Sequence, residues 1–473
     1  GVGFIVAAMA LLVPYVLNRV ERRGFVPFVA ARHVRSHKSG FLTIISVLSI
    51  AGVALSSFAL CAVVSIMGGF GADLKRKILG NNAHVRVEAQ NGGSIGAWNT
   101  ALSELRLVKG IRAATPVVSG EAMASSSTNT AGVQLRGVDP VTIGTVIDLV
   151  SNVEVGKFKF LEHPEELERL GPDEPIGLGP GGEVYLKGPD LKASARKVDP
   201  AVGDAVREES YPGIILGREL AKSLHVYIGD ELTLVSPLGD LGPMGLLPKT
   251  QRFRVAAIFF SGMYEYDVSQ AYVKLETAQA FFDLREQVTG IDVRLEDPEH
   301  VAEISPLVSK ALDDPKLRVR DWKELNKNLF SALKLEKIAT FIVLSLAILV
   351  ASFCIICTLL LMVTEKSKEI AIMKAIGASD QGILRIFMTE GMMIGGIGTV
   401  FGVATGLAAA LGLRWFGVRL DPDVYYVDRL PINVDAVDYT LVALASFLIT
   451  TLATLYPAIA ASRLRPVEGI RYE

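Results

Sequence analysis

Apolar residues run almost unbroken through four stretches, roughly Phe41–Met67, Thr340–Val363, Ile386–Leu411 and Tyr439–Ala461. Each supplies about the 20 residues that a membrane-spanning helix needs. A shorter apolar run, Val2–Leu17, predicts an extra N-terminal span over residues 1–18; no small-residue cleavage site precedes Asn18–Arg23, which favours an anchor over a removed leader. Between the first and second core spans the pattern changes character. His84–Val87 and Arg252–Ile258 alternate with period two, as half-buried strands do, whereas Thr277–Leu284 and His300–Leu312 repeat at helical spacing. The chain therefore reads as an α-helical membrane bundle of four core spans, with a large α+β domain over 71–333.

Within that domain, 71–150 and 267–330 are expected to form a membrane-proximal α+β subdomain into which 151–266 is inserted. Gly171–Asp190 is rich in Gly and Pro and reads as an irregular excursion. The remaining boundaries are a basic segment 19–40, core spans 41–70, 334–364, 380–416 and 438–462, a connector 365–379, a loop 417–437 and a tail 463–473.

Composition agrees with a chain divided between two solvents: half of its 473 residues are hydrophobic and the mean hydropathy is +0.38, yet 21% are charged. Lys and Arg are retained on the cytoplasmic side. They concentrate before the first core span (Arg19, Arg22, Arg23, Arg32, Arg35, Lys38), between the second and third (Lys366, Lys368, Lys374, Arg385) and at the end (Arg463, Arg465, Arg471). The large domain then lies on the outer side of the membrane. A net charge of −2 provides no basic field for nucleic acid. Cys61, Cys354 and Cys357 all fall in apolar stretches, so no disulfide framework is expected, and Cys354-x-x-Cys357 is read as packing.

Candidate chemistry narrows the picture mainly by what it lacks. There is no G-x-x-x-x-G-K-[ST] phosphate loop, and the six histidines form no metal or nucleophile constellation, so no catalytic residue, metal or bound cofactor is assigned. The connector Glu365-Lys-Ser-Lys368-Glu369-Ile370-Ala-Ile-Met373-Lys374-Ala-Ile376-Gly377 reads as a short helix with Ile370, Met373 and Ile376 on one apolar face and a Gly stop. Periodicity alone suits a helix on the lipid surface as well as one docked on a partner. On the third core span, Gly391, Gly395, Gly398, Gly402 and Gly406 permit close helix approach. Glu390 beside them is read as snorkelling to the interface. Ser46, Ser49, Ser56 and Ser57 give the first core span a surface suited to packing or to lining an apolar cavity.

In the outer domain, Leu234–Lys249 carries Pro237, Leu241, Pro243, Met244, Gly245, Leu246, Leu247 and Pro248 between two strand-like runs. It reads either as an exposed hook for a partner or as a loop tucked onto its own domain.

The connector resembles the E-K-x-x-E-I-x-I-x-K-A-I-G-A signature of FtsX/MacB-type ABC permeases, and Phe28–Arg35, Phe41–Phe70 and Tyr456–Glu468 are also similar to that family. The P-M-G-x-x-P run at Pro243–Pro248 resembles the hook of its lipoprotein-releasing branch, the LolC/LolE type. This resemblance implies that 365–379 is a coupling helix seated on a cytoplasmic ABC ATPase present in two copies, which binds the ATP and Mg. It implies that 234–249 holds a periplasmic lipoprotein carrier, and that the chain pairs with a second permease subunit, identical or paralogous. The first two spans would border a lipid-accepting cavity for lipoprotein substrates. The rivals are a MacB-like efflux permease and an FtsX-like signalling subunit acting on a cell-wall hydrolase. The extra N-terminal segment and the 157–205 excursion depart from the family pattern.

Overall fold

The computed structural model describes residues 27–29, 40–90, 92–171, 173–178, 184–186, 211–242, 245–427 and 429–465. The predicted N-terminal span, most of the basic segment and most of the 157–205 excursion lie outside these residues.

Two compact units divide the chain: one groups residues 1–73, 331–420 and 429–473, the other 74–330 with 421–428. Among the described residues, four helices are long and apolar enough to cross a membrane. They are α1 (Gly40–Asn81), with α2 (Trp98–Leu105), α3 (Arg218–Leu224), α4 (Tyr264–Ser269), α5 (Leu275–Phe281) and α6 (Val301–Leu312) following in the outer domain, then α7 (Lys327–Glu365), α9 (Asp380–Phe416) and α11 (Ala436–Ser462). Two short helices, α8 (Ser367–Ala375) and α10 (Pro422–Tyr425), lie in the connections on either side of α9. Three of the four long helices overrun the apolar stretches well beyond their edges. Hydropathy marks only the part that lipid surrounds, while α1 continues in helix through Asp73, Lys75, Arg76 and Lys77, and α7 starts at Lys327.

The outer unit is built on one mixed sheet of β1 (Val85–Ala89), β2 (Ile111–Ser125), β3 (Thr130–Val138), β4 (Val153–Gly156), β5 (Pro175–Leu178), β6 (Val184–Leu186), β7 (Gly213–Gly217), β8 (Glu231–Gly242), β9 (Gly245–Phe259), β10 (Gln270–Lys274), β11 (Gly290–Leu295) and β12 (Leu317–Asp321). Their order is β12-β1-β11-β2-β3-β10-β7-β9-β4-β5-β6, with β8 pairing both β2 and β9. β10 runs parallel to β3, and β7 parallel to β9. Strands of the middle segment therefore continue the same sheet as the flanking segments, because β10 joins β3 on one side to β7 on the other.

Helices cover the sheet according to their apolar stripes. α6 buries Val301, Ile304, Val308 and Leu312 against Val85, Val87 and Val293, while α3 and α5 bury Leu220, Leu224 and Phe281 beside Phe253 and Val255. Charged groups are also fixed in this interior. Asp292 on β11 is fully buried and accepts a two-pronged bond from Arg86 of β1 (Nε–Oδ1 2.8 Å, Nη2–Oδ2 3.2 Å) and another from Arg136 of β3. Burial alone would raise its carboxyl, but the two guanidinium groups prevail and hold it below the ordinary range.

Candidate functional site

Seating of α8 begins with its ends. Gly377, at φ +114°, adopts a conformation that side chains rarely enter, and it ends the helix as Ala378 N–H donates to Met373 O at 2.9 Å. Two residues later Ser379 caps α9, its Oγ accepting from Gly382 N–H at 3.2 Å. The chain is thus turned sharply from one helix into the next.

The predicted apolar face of α8 divides. Ile370 is fully buried with Ile383, Phe387, Ala458 and Ala461, whereas Ile376 is 83% exposed. Each three-residue step turns about 300°, so two steps leave Ile376 about 120° from Ile370, too far round to share a face. Ile372, which the periodicity does not single out, is exposed instead, alongside Glu365, Lys368, Glu369 and Ile376. An apolar pocket of about 490 Å³, lined by Met373, Ile376, Ala378, Ser379, Gly382, Ile383 and Ile386, opens beside them. Lys374 also turns inward, donating to Ser462 O at 2.6 Å and Leu464 O at 2.9 Å and pairing with Asp380 at 2.7 Å. It ties α8 to the C-terminus of α11, where a cation meets unpaired carbonyls.

At 234–249 strand pairing persists to the end of an extended ribbon. β8 and β9 remain in register through Asp240↔Leu247, Leu241↔Leu246 and Gly242↔Gly245. The expected long loop is therefore a two-stranded ribbon. Between Ser236↔Lys249 and Asp240↔Leu247 the register shifts, with three residues of β8 facing Pro248 alone, a bulge that bends a ribbon. Pro248 is exposed. Pro243 and Met244, and the side chains of Pro237, Leu241, Gly245, Leu246 and Leu247, lie outside the described residues.

The glycines of α9 serve two neighbours. A Cβ on Gly391 would come within 2.0 Å of Thr454, and one on Gly395 within 2.4 Å of Thr450, both on α11. On Gly398, Gly402 and Gly406 it would meet Val53, Ala54 and Cys61 of α1 at 2.9, 2.4 and 2.7 Å. Glu390 is fully buried, not snorkelling as expected. The serines of α1 make interhelical bonds: Ser49 Oγ lies 2.7 Å from Thr358 Oγ1, and Ser57 donates to Ser446 at 3.1 Å. Cys354 and Cys357, expected to pack, are exposed on α7.

Residues 341–466 match the FtsX-like permease C-terminal family, and residues 46–311 match the MacB-like periplasmic core domain. The lipoprotein-releasing system transmembrane protein LolC of Neisseria meningitidis serogroup B is 31% identical over 94% of this chain and 99% of its own length. The chain belongs to this family. Its LolE relative from Haemophilus influenzae is 27% identical over 93% of this chain and 98% of that protein. Among solved structures, the periplasmic region of MacB from Actinobacillus actinomycetemcomitans is matched at 11% identity and a TM-score of 0.27, over 53% of this chain and 94% of that one.

As a LolC/LolE-type membrane protein with a periplasmic domain, the chain places its family signature on an element whose inward residues hold the bundle together. The exposed residues of α8 include Lys368, Glu369 and Ile372, with Ile376 just past its end. Lys374's role is invisible to periodicity because its carbonyl partners lie 88 and 90 residues away.

Proposed function

We propose that this chain is the permease subunit of an ABC complex in a bacterial inner membrane, and that the complex extracts lipoproteins from the bilayer and passes them to a periplasmic carrier. The observation that carries this reading is similarity to lipoprotein-releasing system proteins over 94% of the chain, with the outer domain included. ATP and Mg are bound by two copies of a separate cytoplasmic ATPase, and a second permease subunit completes the pair. The α8 surface formed by Ile372 and Ile376, with the pocket beside it, is of a kind that receives a partner's apolar side chains. The β8–β9 ribbon is the carrier-binding hook. A ribbon that keeps its ladder to the end suits capture of a protein, because its rigidity lowers the ordering cost of binding.

Site-specific photo-crosslinking from position 244 in intact cells tests this reading. The expected product is an adduct with a soluble periplasmic lipoprotein carrier. An adduct with an efflux adaptor or a cell-wall hydrolase would replace it with an efflux or signalling role, and purely intramolecular products would remove the hook.

A further inference from the structure

The last turn of α9 differs from the rest of the helix. Its apolar stretch ends at Leu411, and Arg414, Trp415 and Phe416 follow within about 8 Å along the axis, at the depth where hydrocarbon gives way to headgroups. Because α1 leads into the outer domain and α7 returns from it, this end of α9 emerges on the same side of the membrane as that domain. Trp415 is 83% and Phe416 78% exposed, their rings edge-on at 5.2 Å. Water would penalise so much bare aromatic surface, whereas the headgroup layer favours it.

Three arginines are placed at the same helix end. Arg414 lies in the last turn, and Arg429 Nη1 sits 3.5 Å from the Cβ that a side chain at Gly417 would have. Arg419 faces Arg429 in an antiparallel bridge, beside which Leu430 N–H donates to Val418 O at 2.9 Å. All three are exposed, and among the described residues no ion pair or side-chain hydrogen bond involves them. Neighbouring carboxylates of the bundle are engaged elsewhere: Asp435 accepts from Val437 N–H at 2.9 Å as the cap of α11, and Asp438 pairs with Lys337 at 2.8 Å. The other acidic residues of the connection fall within 421–428, which groups with the outer unit. A helix dipole favours cations at its C-terminus, which accounts for Arg414 and Arg429. It does not account for Arg419, set directly opposite a like charge, an arrangement that destabilises a bridge unless an anion lies between the two. Nor is a cluster of arginines expected on this side of the membrane, since Lys and Arg near spans are retained on the other.

We infer that the outer end of α9 and the bridge after it bind an anionic phospholipid of the outer leaflet. Arg419 and Arg429, with Arg414, take the phosphodiester, while Trp415 and Phe416 lie along the glycerol and the start of the acyl chains. Guanidinium groups engage phosphate oxygens two at a time, and a bridge that holds two of them side by side pre-arranges that contact. The aromatic pair fixes the source as a bilayer lipid, because a soluble phosphate would gain nothing from two exposed rings at this depth. The site needs only the four-span topology and stands whether or not the chain takes part in lipoprotein release.

The test uses the full chain in phosphatidylcholine vesicles, with a fixed fraction of the lipid brominated, either as phosphatidylglycerol or as phosphatidylcholine. Trp415 emission is taken as the difference between the parent chain and Trp415→Phe. Brominated phosphatidylglycerol is expected to quench it with about fivefold higher apparent affinity than brominated phosphatidylcholine. Arg414→Gln, Arg419→Gln and Arg429→Gln together should bring that ratio to about one, and Arg419→Gln alone to about two. Quenching by phosphatidylcholine should be the same in both variants as in the parent, which shows that Trp415 keeps its depth. Absence of quenching in the parent, equal quenching by the two lipids, or an undiminished preference in the triple variant would each overturn the site. Glycerol phosphate in solution, at constant ionic strength, should leave the preference in place; if it abolishes the preference, the arginines take a soluble phosphate and the lipid assignment falls.

Discussion

Lys374 donates its ammonium to the main-chain oxygen of Ser462 at 2.6 Å, joining the short helix after the second span to the last turn of the fourth. With Leu464 O and Asp380 it has three partners while its side chain is 9% exposed. Lys374→Met leaves those acceptors without a charged donor, at a cost of about 2 kcal/mol. The expected phenotype is a complex that still hydrolyses ATP but releases lipoprotein poorly, because α8 is no longer fixed to α11. Parallel ATPase and release assays on reconstituted complexes check this; proportional loss of both would assign Lys374 to ATPase docking instead.

Substitution of Met244, Leu246 and Leu247 together by Asp is expected to weaken carrier binding by about two orders of magnitude, since apolar anchors dominate such contacts. Membrane insertion and ATPase assembly should be unaffected. Pull-down of the carrier by the solubilised complex gives the answer, and normal capture would exclude the hook as the binding element.

Gly395→Val is expected to cost about 3 kcal/mol, as overpacking between helices does, because its Cβ would lie 2.4 Å from Thr450 Oγ1. Gly412, on the same helix, has no heavy atom within 4 Å of a built Cβ. Gly412→Ala should therefore fall within about 0.5 kcal/mol of the parent. Thermal unfolding of the detergent-solubilised chain compares the two; equal losses would show that backbone flexibility, not contact, sets the requirement.

Asp267 is fully buried, with Ser261 N–H donating to its Oδ1 at 2.8 Å. Burial raises its pKa from 3.8 to about 6. Below the lower value the carboxyl is protonated whether the chain is folded or not. Between the two values the folded protein keeps a proton that the unfolded chain has released, so stability falls as pH rises across this window and is level above it. The total is on the order of 3 kcal/mol. Asp267→Asn keeps an oxygen for Ser261 and removes the titration, so the fall in unfolding midpoint between these pH values should disappear. An unchanged slope would place the titration elsewhere.

Four spans and the α+β character of the outer domain are legible in sequence because each depends on local periodicity, which solvent imposes residue by residue. The ends of α1 and α7 are not, since their polar turns carry no hydropathy signal. Nor can spacing show that Ile370 and Ile376 part company, because a stripe at three-residue intervals drifts round the helix. The ribbon at 234–249 looked like a loop because Pro237, Pro243 and Pro248 interrupt strand propensity. Its ladder continues past them through the register of Leu241 with Leu246.

Threonines of α11 and small residues of α1 enclose the glycines of α9 from two sides, so sliding any of these helices along its neighbour would drive a side chain into a backbone. These three helices are therefore constrained to travel as a single lever. α7 makes fewer such engagements along its outer half, where Leu335, Ile338, Ile342, Val343 and Leu346 are exposed. Relative movement within the bundle would thus strain the contacts of α7, such as the Ser49–Thr358 bond and the Lys337–Asp438 pair, before these glycine contacts.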